Sequence, residues 1–246
     1  MTDGMALFHD VADAVALALR SVRDRGPSGL RDGQYALDLV ADKAALDVLH
    51  RAGVGVLSEE SGLELVVGRP TVVIDPVDGS TNCSRGVPWY ATSLCLVDED
   101  GPALALVVNQ ASGERWSAVR GGGAWCDGRA LTPSGRTVLS EAIIGISAPA
   151  PPMPGWAQFR ALGASALDLC LVAGGVLDGF VDCGLDQHGA WDYLGAMLIC
   201  QEAGAVVSDA AGRDLVVLEH ATRRTPVAGA TVEMHAALRA VRDRLP

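Results

Sequence analysis

The chain has 246 residues, 49% of them hydrophobic, enough to bury a large core in one compact unit or two packed lobes, so a disordered chain is excluded. Its net charge of −11 argues against nucleic acid or an anionic membrane surface as a main partner. Six cysteines (Cys83, Cys95, Cys126, Cys170, Cys183 and Cys200) fall mostly inside apolar stretches without CxxC spacing, which fits buried reduced thiols in a cytoplasmic protein.

From Met1-Thr2-Asp3-Gly4 the chain runs into an amphipathic pattern through Leu7, Val11, Val15 and Leu19, with no basic region ahead of an apolar core. The spacing predicts a helix over 5–23, not a signal peptide. No apolar run reaches the length of about 18 residues that a membrane span needs. After the segment Asp24 to Asp38, a second helix is expected over 41–52, with Asp42 either as its N-cap or as a hydrogen-bonding support for a nearby site. Serial strands near 54–57, 64–67, 71–75, 90–97, 103–109 and 115–119, joined by short turns, imply an antiparallel sheet.

Two of these strands end in acids: Leu57-Ser58-Glu59-Glu60-Ser61-Gly62, and Val72-Val73-Ile74-Asp75-Pro76-Val77-Asp78-Gly79-Ser80-Thr81-Asn82. Positions three apart on a regular strand face opposite ways, so Asp75 and Asp78 meet only if the chain bends between them, and Pro76 sits at that bend. The DxDGT strand end of haloacid-dehalogenase-type phosphatases spaces its acids by two. The additional residue here frees the Val77 carbonyl as a third oxygen ligand, which suits metal clamping better than covalent phosphoryl transfer. Gly79 lets backbone approach a ligand closely, and the amides of Ser80 and Thr81 could form an anion nest or open a helix toward a phosphate. A polar β-turn is the plainer reading of the same residues. The ligands offered are all oxygens, which favours Mg²⁺, Mn²⁺ or Ca²⁺ over zinc, and the five histidines are scattered.

Beyond a turn from Leu131 to Gly135 the pattern becomes strand 142–147, helix 164–175, strand 177–182, helix 192–203, strands 205–208 and 214–218, and helix 231–244. That alternation implies a second α/β layer. The Pro-rich stretch Pro149 to Pro154 reads as a loop within this half. Asp192 stands at the start of its helix and Gly204 just past the end, so Asp192 alone reads as an N-cap.

In order, Ser58-Glu59-Glu60-Ser61, Asp75 to Asn82, and Trp191-Asp192 leading into Glu202-Ala203-Gly204-Ala205 resemble the inositol monophosphatase family of magnesium-dependent phosphomonoesterases. The likeness extends through Arg85 to Ala91, Gly121 to Trp125 and Arg160 to Ala166. It implies a mixed α+β and α/β architecture, the layered αβαβα sugar-phosphatase fold. An N-terminal α+β lobe over 1–140 would carry most metal ligands, and a C-terminal α/β lobe over 141–246 would carry Asp192 and the substrate-contact segment. The resemblance implies two or three Mg²⁺ per site, one on Glu59, Asp75 and the Val77 carbonyl, another on Asp75, Asp78 and Asp192. Glu59 with the Ser80 hydroxyl would orient and deprotonate the attacking water, and Asp42 would support them. The Gly79 and Ser80 amides would hold the phosphate, while Gly163, Ala164, Ser165, Asp182 and Asp192 would contact the substrate. The implied reaction is direct hydrolysis of a small-molecule phosphate monoester: an inositol monophosphate, histidinol phosphate, a sugar phosphate or a phosphorylated nucleotide. Lithium sensitivity and a homodimer are usual in the family, and a metal- and phosphate-binding regulator with little turnover is the alternative. Electrostatics agrees independently, since carboxylates at 4 Å repel by about 4 kcal/mol per pair at an effective dielectric near 20.

The chain departs from the family pattern in several places. The segment Asp24 to Asp38 lacks the lysine often found near the phosphate; Lys43 is the only lysine, so Arg25 or Arg31 would have to supply positive charge. Ser80 stands where threonine is usual. Ala164 offers no side-chain donor, and Asp182 is one methylene shorter than the usual glutamate. About three residues, Asp186, Gln187 and His188, are additional between Leu185 and Trp191, with His188 read as a loop residue.

Overall fold

Helices α1 (Thr2–Ser21) and α2 (Ala36–Ala52) pack together over one face of an eight-stranded sheet in the computed structural model, which describes residues 2–149 and 155–245. Phe8, Val11, Ala12, Val15 and Leu19 form the buried stripe of α1, and Leu37, Ala41, Ala45 and Leu49 that of α2, at the three- and four-residue steps of a helix lying on a core. Helix α2 starts five residues before the expected position. Its first turn is closed by Asp38, whose carboxylate accepts the Tyr35 amide at 2.8 Å. Tyr35 at the N-cap gives none of the usual cap signals. Asp42 therefore lies inside the helix and is not its cap.

The sheet comprises β1 (Gly55–Ser58), β2 (Gly62–Glu64), β3 (Thr71–Asp78), β4 (Ala91–Asp98), β5 (Gly101–Asn109), β6 (Arg115–Val119), β7 (Gly123–Cys126) and β8 (Arg129–Ala130). Helix α3 (Ser80–Arg85) follows β3 directly. Strand order is β2-β1-β3-β4-β5-β6-β7-β8, and neighbours are antiparallel except β1 and β3, which run parallel with Ser58 opposite Ile74. The expectation of a wholly antiparallel sheet is thus corrected. The chain crosses back from β2 on the outer edge to the other flank of β1, so β3 leaves in the direction of β1. As a result, the acid-bearing ends of β1 and β3 reach the same edge of the sheet.

A second sheet orders β9 (Ile143–Ser147), β10 (Gln158–Arg160), β11 (Gly179–Asp182), β12 (Val206–Asp209) and β13 (Pro226–Gly229) as β10-β9-β11-β13-β12. Helices α4 (Ser165–Ala173) and α5 (Ala190–Ala203) lie between the two sheets, and α6 (Val232–Arg242) covers the outer face of the second, giving the layers αβαβα. Three apolar clusters fill the three interfaces. The expected strand over 214–218 is not one: Leu215 is buried and its carbonyl accepts the Tyr193 hydroxyl at 2.9 Å, but the segment pairs with no sheet edge. Strand β13 takes the inner place instead. Its Thr225-Pro226-Val227-Ala228-Gly229 run looks like a loop in sequence, and proline is accommodated as its first residue. Of the expected loop from Pro149 to Pro154, residues 150–154 lie outside the described residues. All six cysteines are buried and unpaired, and among the described residues no helix is long and apolar enough to cross a membrane.

Helix α5 sits on β4 and β5 through Gly195, where an added Cβ would meet the Leu94 carbonyl oxygen at 2.9 Å and Ser93 Oγ at 3.1 Å. Gly195→Ala is expected to destabilise the fold by about 1–3 kcal/mol through overpacking, despite the higher helix propensity of alanine. Urea unfolding checks this, and an unchanged midpoint would show that the helix can lift from the sheet at no cost.

Candidate active site

The bend between Asp75 and Asp78 is a β-bulge. Asp75 pairs with Ser93 and Asp78 with Ala91, so Pro76 and Val77 together oppose Thr92, whose hydroxyl donates to the Pro76 carbonyl at 2.9 Å. The bulge turns both carboxylates to one side. There Asp192, in the first turn of α5, joins them, and one oxygen from each of Asp75, Asp78 and Asp192 lies within 4.8 Å of the others. Each is oriented by a backbone amide: Val77 N donates to Asp75 at 2.9 Å, Ala166 N to Asp78 at 2.7 Å and Gly189 N to Asp192 at 2.7 Å. Asp192 is thus helix-capping and site-building at once. Gly79 follows at φ 86°, where an added Cβ would strike the Gly163 carbonyl at 3.0 Å and Ala164 Cβ at 3.1 Å; only glycine lets β3 and the start of α4 come this close.

Glu59 stands just past β1, beside this trio. Asp42 positions its turn from beneath, accepting the Ser58 hydroxyl at 2.5 Å and also the Ser61 hydroxyl, so helix α2 grips both ends of the Ser58–Ser61 turn. The Glu59 carbonyl accepts from His220 Nε2 at 2.9 Å, which ties the C-terminal half to the same turn. Glu59 and Ser80 line a cavity of about 310 Å³ with Arg31, Gln34, Asp38, Glu60, Trp191 and Arg223 among its walls. Of the two arginines considered for the 24–38 segment, Arg31 reaches this cavity and pairs with Glu60 at 2.6 Å, whereas Arg25 donates to the Cys83 carbonyl. Arg223, Asp38 and His220 carry no signal in the sequence, since isolated loop or helix residues form no motif. Trp191 belongs to the Trp191-Asp192 motif of the sequence, and the structure adds its place in the cavity wall.

Burial is the main force on the acids, and it raises Glu59, Asp75, Asp78 and Asp192 above the ordinary carboxylate range, with their mutual repulsion adding to the rise in Glu59, Asp75 and Asp78. Asp38 is pushed up to about 7, also by burial first, and its Oδ1 is buried without a partner. This donor set fits a divalent cation: hard oxygens only, converging, with their own charge as the chief unbalanced quantity.

The expected substrate contacts divide. Gly163, Ala164 and Ser165 form the wall at the start of α4, next to Gly79 and Asp78. Asp182 is wholly buried, and its Oδ1 accepts from Ser147 Oγ at 2.7 Å and Gly184 N at 2.9 Å while Oδ2 faces His188 Nδ1 at 3.0 Å. His188 Nε2 in turn meets Ser165 Oγ at 2.7 Å. His188 is therefore no free loop residue but the link between Asp182 and Ser165. Burial draws its imidazole down, yet the Asp182 hydrogen bond and the charges of Asp192, Asp182 and Asp78 outweigh that and leave it raised.

Residues 9–245 match the profile of the Inositol monophosphatase family. The chain is 34% identical to an inositol-1-monophosphatase of Mesorhizobium japonicum, over all of this chain and 94% of that protein. It is 32% identical to a fructose-1,6-bisphosphatase of Pyrococcus furiosus, over 82% of this chain and 79% of that one. It is also 34% identical to the Nus factor SuhB of Pseudomonas aeruginosa, over 71% and 68%. In three dimensions it superposes on the extragenic suppressor protein suhB of Bartonella henselae with a TM-score of 0.84 at 25% identity, covering 98% of this chain and 99% of that chain.

Two outcomes are expected. Acids held above their ordinary range bind protons in the folded state that the unfolded chain gives up, so the chelated protein loses stability as pH rises from the ordinary carboxylate range through the raised values. Melting temperature measured in chelator should thus fall as pH is raised above the ordinary carboxylate range, Mg²⁺ should restore it, and Asp75→Asn should raise it at the higher pH; a flat profile in chelator contradicts this. Asp182→Ala should cost about 1–3 kcal/mol in urea unfolding by orphaning buried donors. Were Asp182 a substrate contact, stability would hold while KM rose.

Proposed function

The chain belongs to the inositol monophosphatase family, and on that premise we propose that it hydrolyses a small-molecule phosphate monoester in a magnesium-dependent reaction. The convergence of Asp75, Asp78 and Asp192 beside Glu59 and Ser80 carries this function. Bound to Glu59, Asp75, the Val77 carbonyl, Asp78 and Asp192, Mg²⁺ ions would supply Lewis-acid stabilisation of the entering and leaving oxygens. The chain's own groups do the rest. The N–H groups opening α3, which have no partner within the helix, hold phosphate oxygens after the Gly79 turn. Glu59, raised by burial and by Asp192, accepts a proton from water that the Ser80 hydroxyl helps to orient. Asp42 keeps that turn in place through Ser58 and Ser61. The wall of Gly163, Ala164 and Ser165 faces the leaving group. Candidate substrates are inositol monophosphate, histidinol phosphate, sugar phosphates and phosphorylated nucleotides, and lithium inhibition, cytoplasmic location and a homodimer go with this reading.

A second reading draws on the relatives named Nus factor SuhB: a protein that binds metal and phosphate ligand but acts as a regulator. Phosphate release from a panel of those monophosphates, with and without Mg²⁺, separates the two. Magnesium-dependent release is expected, and Asp75→Asn, by forfeiting several kcal/mol of transition-state stabilisation, should lower kcat/KM roughly a hundredfold or more. Release that persists undiminished in Asp75→Asn would sink the metal-dependent mechanism, while tight Mg²⁺ and phosphate binding without any release would favour the regulator.

A further inference from the structure

Two guanidinium groups line the catalytic cavity, and they are spent differently. Arg31 is paired with the Glu60 carboxylate at 2.6 Å, and Gln34 donates to the same oxygen, so its charge is offset where it stands. Arg223 makes no ion pair among the described residues. It is nonetheless held firmly. Its Cζ lies 4.9 Å from the centroid of the Trp191 ring, and its Nη1 donates to the carbonyls of His220 at 2.7 Å and Thr222 at 3.1 Å. Trp191 is buried, and its other neighbour is the His220 ring at 4.9 Å, which is anchored to the Glu59 carbonyl. The stack fixes the guanidinium relative to Glu59 and leaves its Nε and Nη2 without hydrogen bonds among the described residues.

A cation fixed in place, unpaired and on the wall of a cavity shared with Ser80 is arranged for anionic oxygens, and a planar guanidinium matches phosphate with two parallel donors. Resting on the phosphatase reading above, we propose that Arg223 binds the oxygens of the phosphoryl group being transferred, supplying from the C-terminal half an unpaired positive charge that Arg31 of the 24–38 segment, matched by Glu60, does not offer. Asp192, which Arg223 also attracts electrostatically, lies one residue from the Trp191 ring on which the guanidinium rests, so the same short stretch of α5 holds a carboxylate and carries the cation.

Inorganic phosphate is the probe, titrated by calorimetry into the Mg²⁺-loaded full chain for the wild type, Arg223→Ala, Arg223→Lys and Arg31→Ala, with Mg²⁺ affinity and melting temperature measured in parallel. Arg223→Ala should weaken phosphate binding about tenfold or more, the scale of one charge-assisted bidentate contact, with Mg²⁺ affinity kept within about twofold. Arg223→Lys should recover part of the loss, and Arg31→Ala should lose less than Arg223→Ala. Steady-state kcat/KM for p-nitrophenyl phosphate should fall with phosphate affinity. If no substrate turns over but phosphate binding still depends on Arg223, the assignment stands and the hydrolytic function fails. Equal phosphate affinity in wild type and Arg223→Ala overturns it, as does absence of binding to the wild type, or a loss that merely tracks Mg²⁺ affinity or unfolding. An effect of Arg223→Ala confined to substrates with a second anionic group on the leaving alcohol also overturns it, by moving the contact to that group.

Discussion

Burying several carboxylates within reach of one another is the costly feature on which this structure turns. No lysine or arginine forms an ion pair with Asp75, Asp78 or Asp192 among the described residues: Arg223 attracts Asp192 without pairing to it, and Arg31 is already matched by Glu60. Water cannot screen the repulsion, because Asp75 and Asp78 are buried. The cluster survives in the metal-free chain only by holding protons well above the ordinary carboxylate range, and it becomes an asset once divalent cations replace them. A stability optimum without that gain would have filled the same space with leucine and valine, as the strands around it do.

Three backbone devices exist to assemble the cluster, and each is fixed by packing remote from it. The β3 bulge brings Asp75 and Asp78 to one side. The parallel pairing of β1 with β3 carries Glu59 to the same edge, and Asp42 in α2 clamps the turn on which it sits. Helix α5, pressed onto β4 and β5, delivers Asp192 from the far half of the chain. The helical layer between the sheets belongs to both halves at once. A metal held by Asp75, Asp78 and Asp192 would bridge elements more than a hundred residues apart in sequence, and its binding energy would be spread across the fold as stability.

Sequence was most legible where chemistry and backbone geometry coincide. Asp75-Pro76-Val77-Asp78-Gly79 announces a bend because two acids three apart are useless without one. The helices α1, α4, α5 and α6 follow from apolar spacing, with ends displaced by a few residues. What stayed hidden depends on long-range pairing. Nothing in Val54 to Leu57 says that its strand lies parallel to β3, since direction is decided by where the chain crosses. Strand β13 hides because a proline, an alanine and a glycine leave almost no β pattern, although its place between β11 and β12 is wholly buried. Tyr35 conceals the start of α2 for the same kind of reason, a cap without a capping side chain. Arg223 and His220 lie in a segment without periodicity, and only the fold shows them to be stacked around Trp191.

Asp182 and the segment Asp186 to His188 meet in a single structural unit. The segment ending in His188 brings an imidazole within 3.0 Å of the Asp182 carboxylate. Asp182 then has no oxygen free, and its charge is used inside the protein. What reaches the wall of the site is Ser165, half-buried, its hydroxyl 2.7 Å from His188. The neighbouring acids favour the protonated imidazole, in which both nitrogens donate, so Ser165 Oγ accepts from Nε2 and its own proton turns out; in the neutral form with Nδ1 donating to Asp182 the serine donates inward instead. A leaving group on that side would meet a neutral hydroxyl held on a rigid strut. Selectivity there would come from hydrogen bonding instead of charge, which leaves Arg223 as the cavity guanidinium without an ion pair among the described residues.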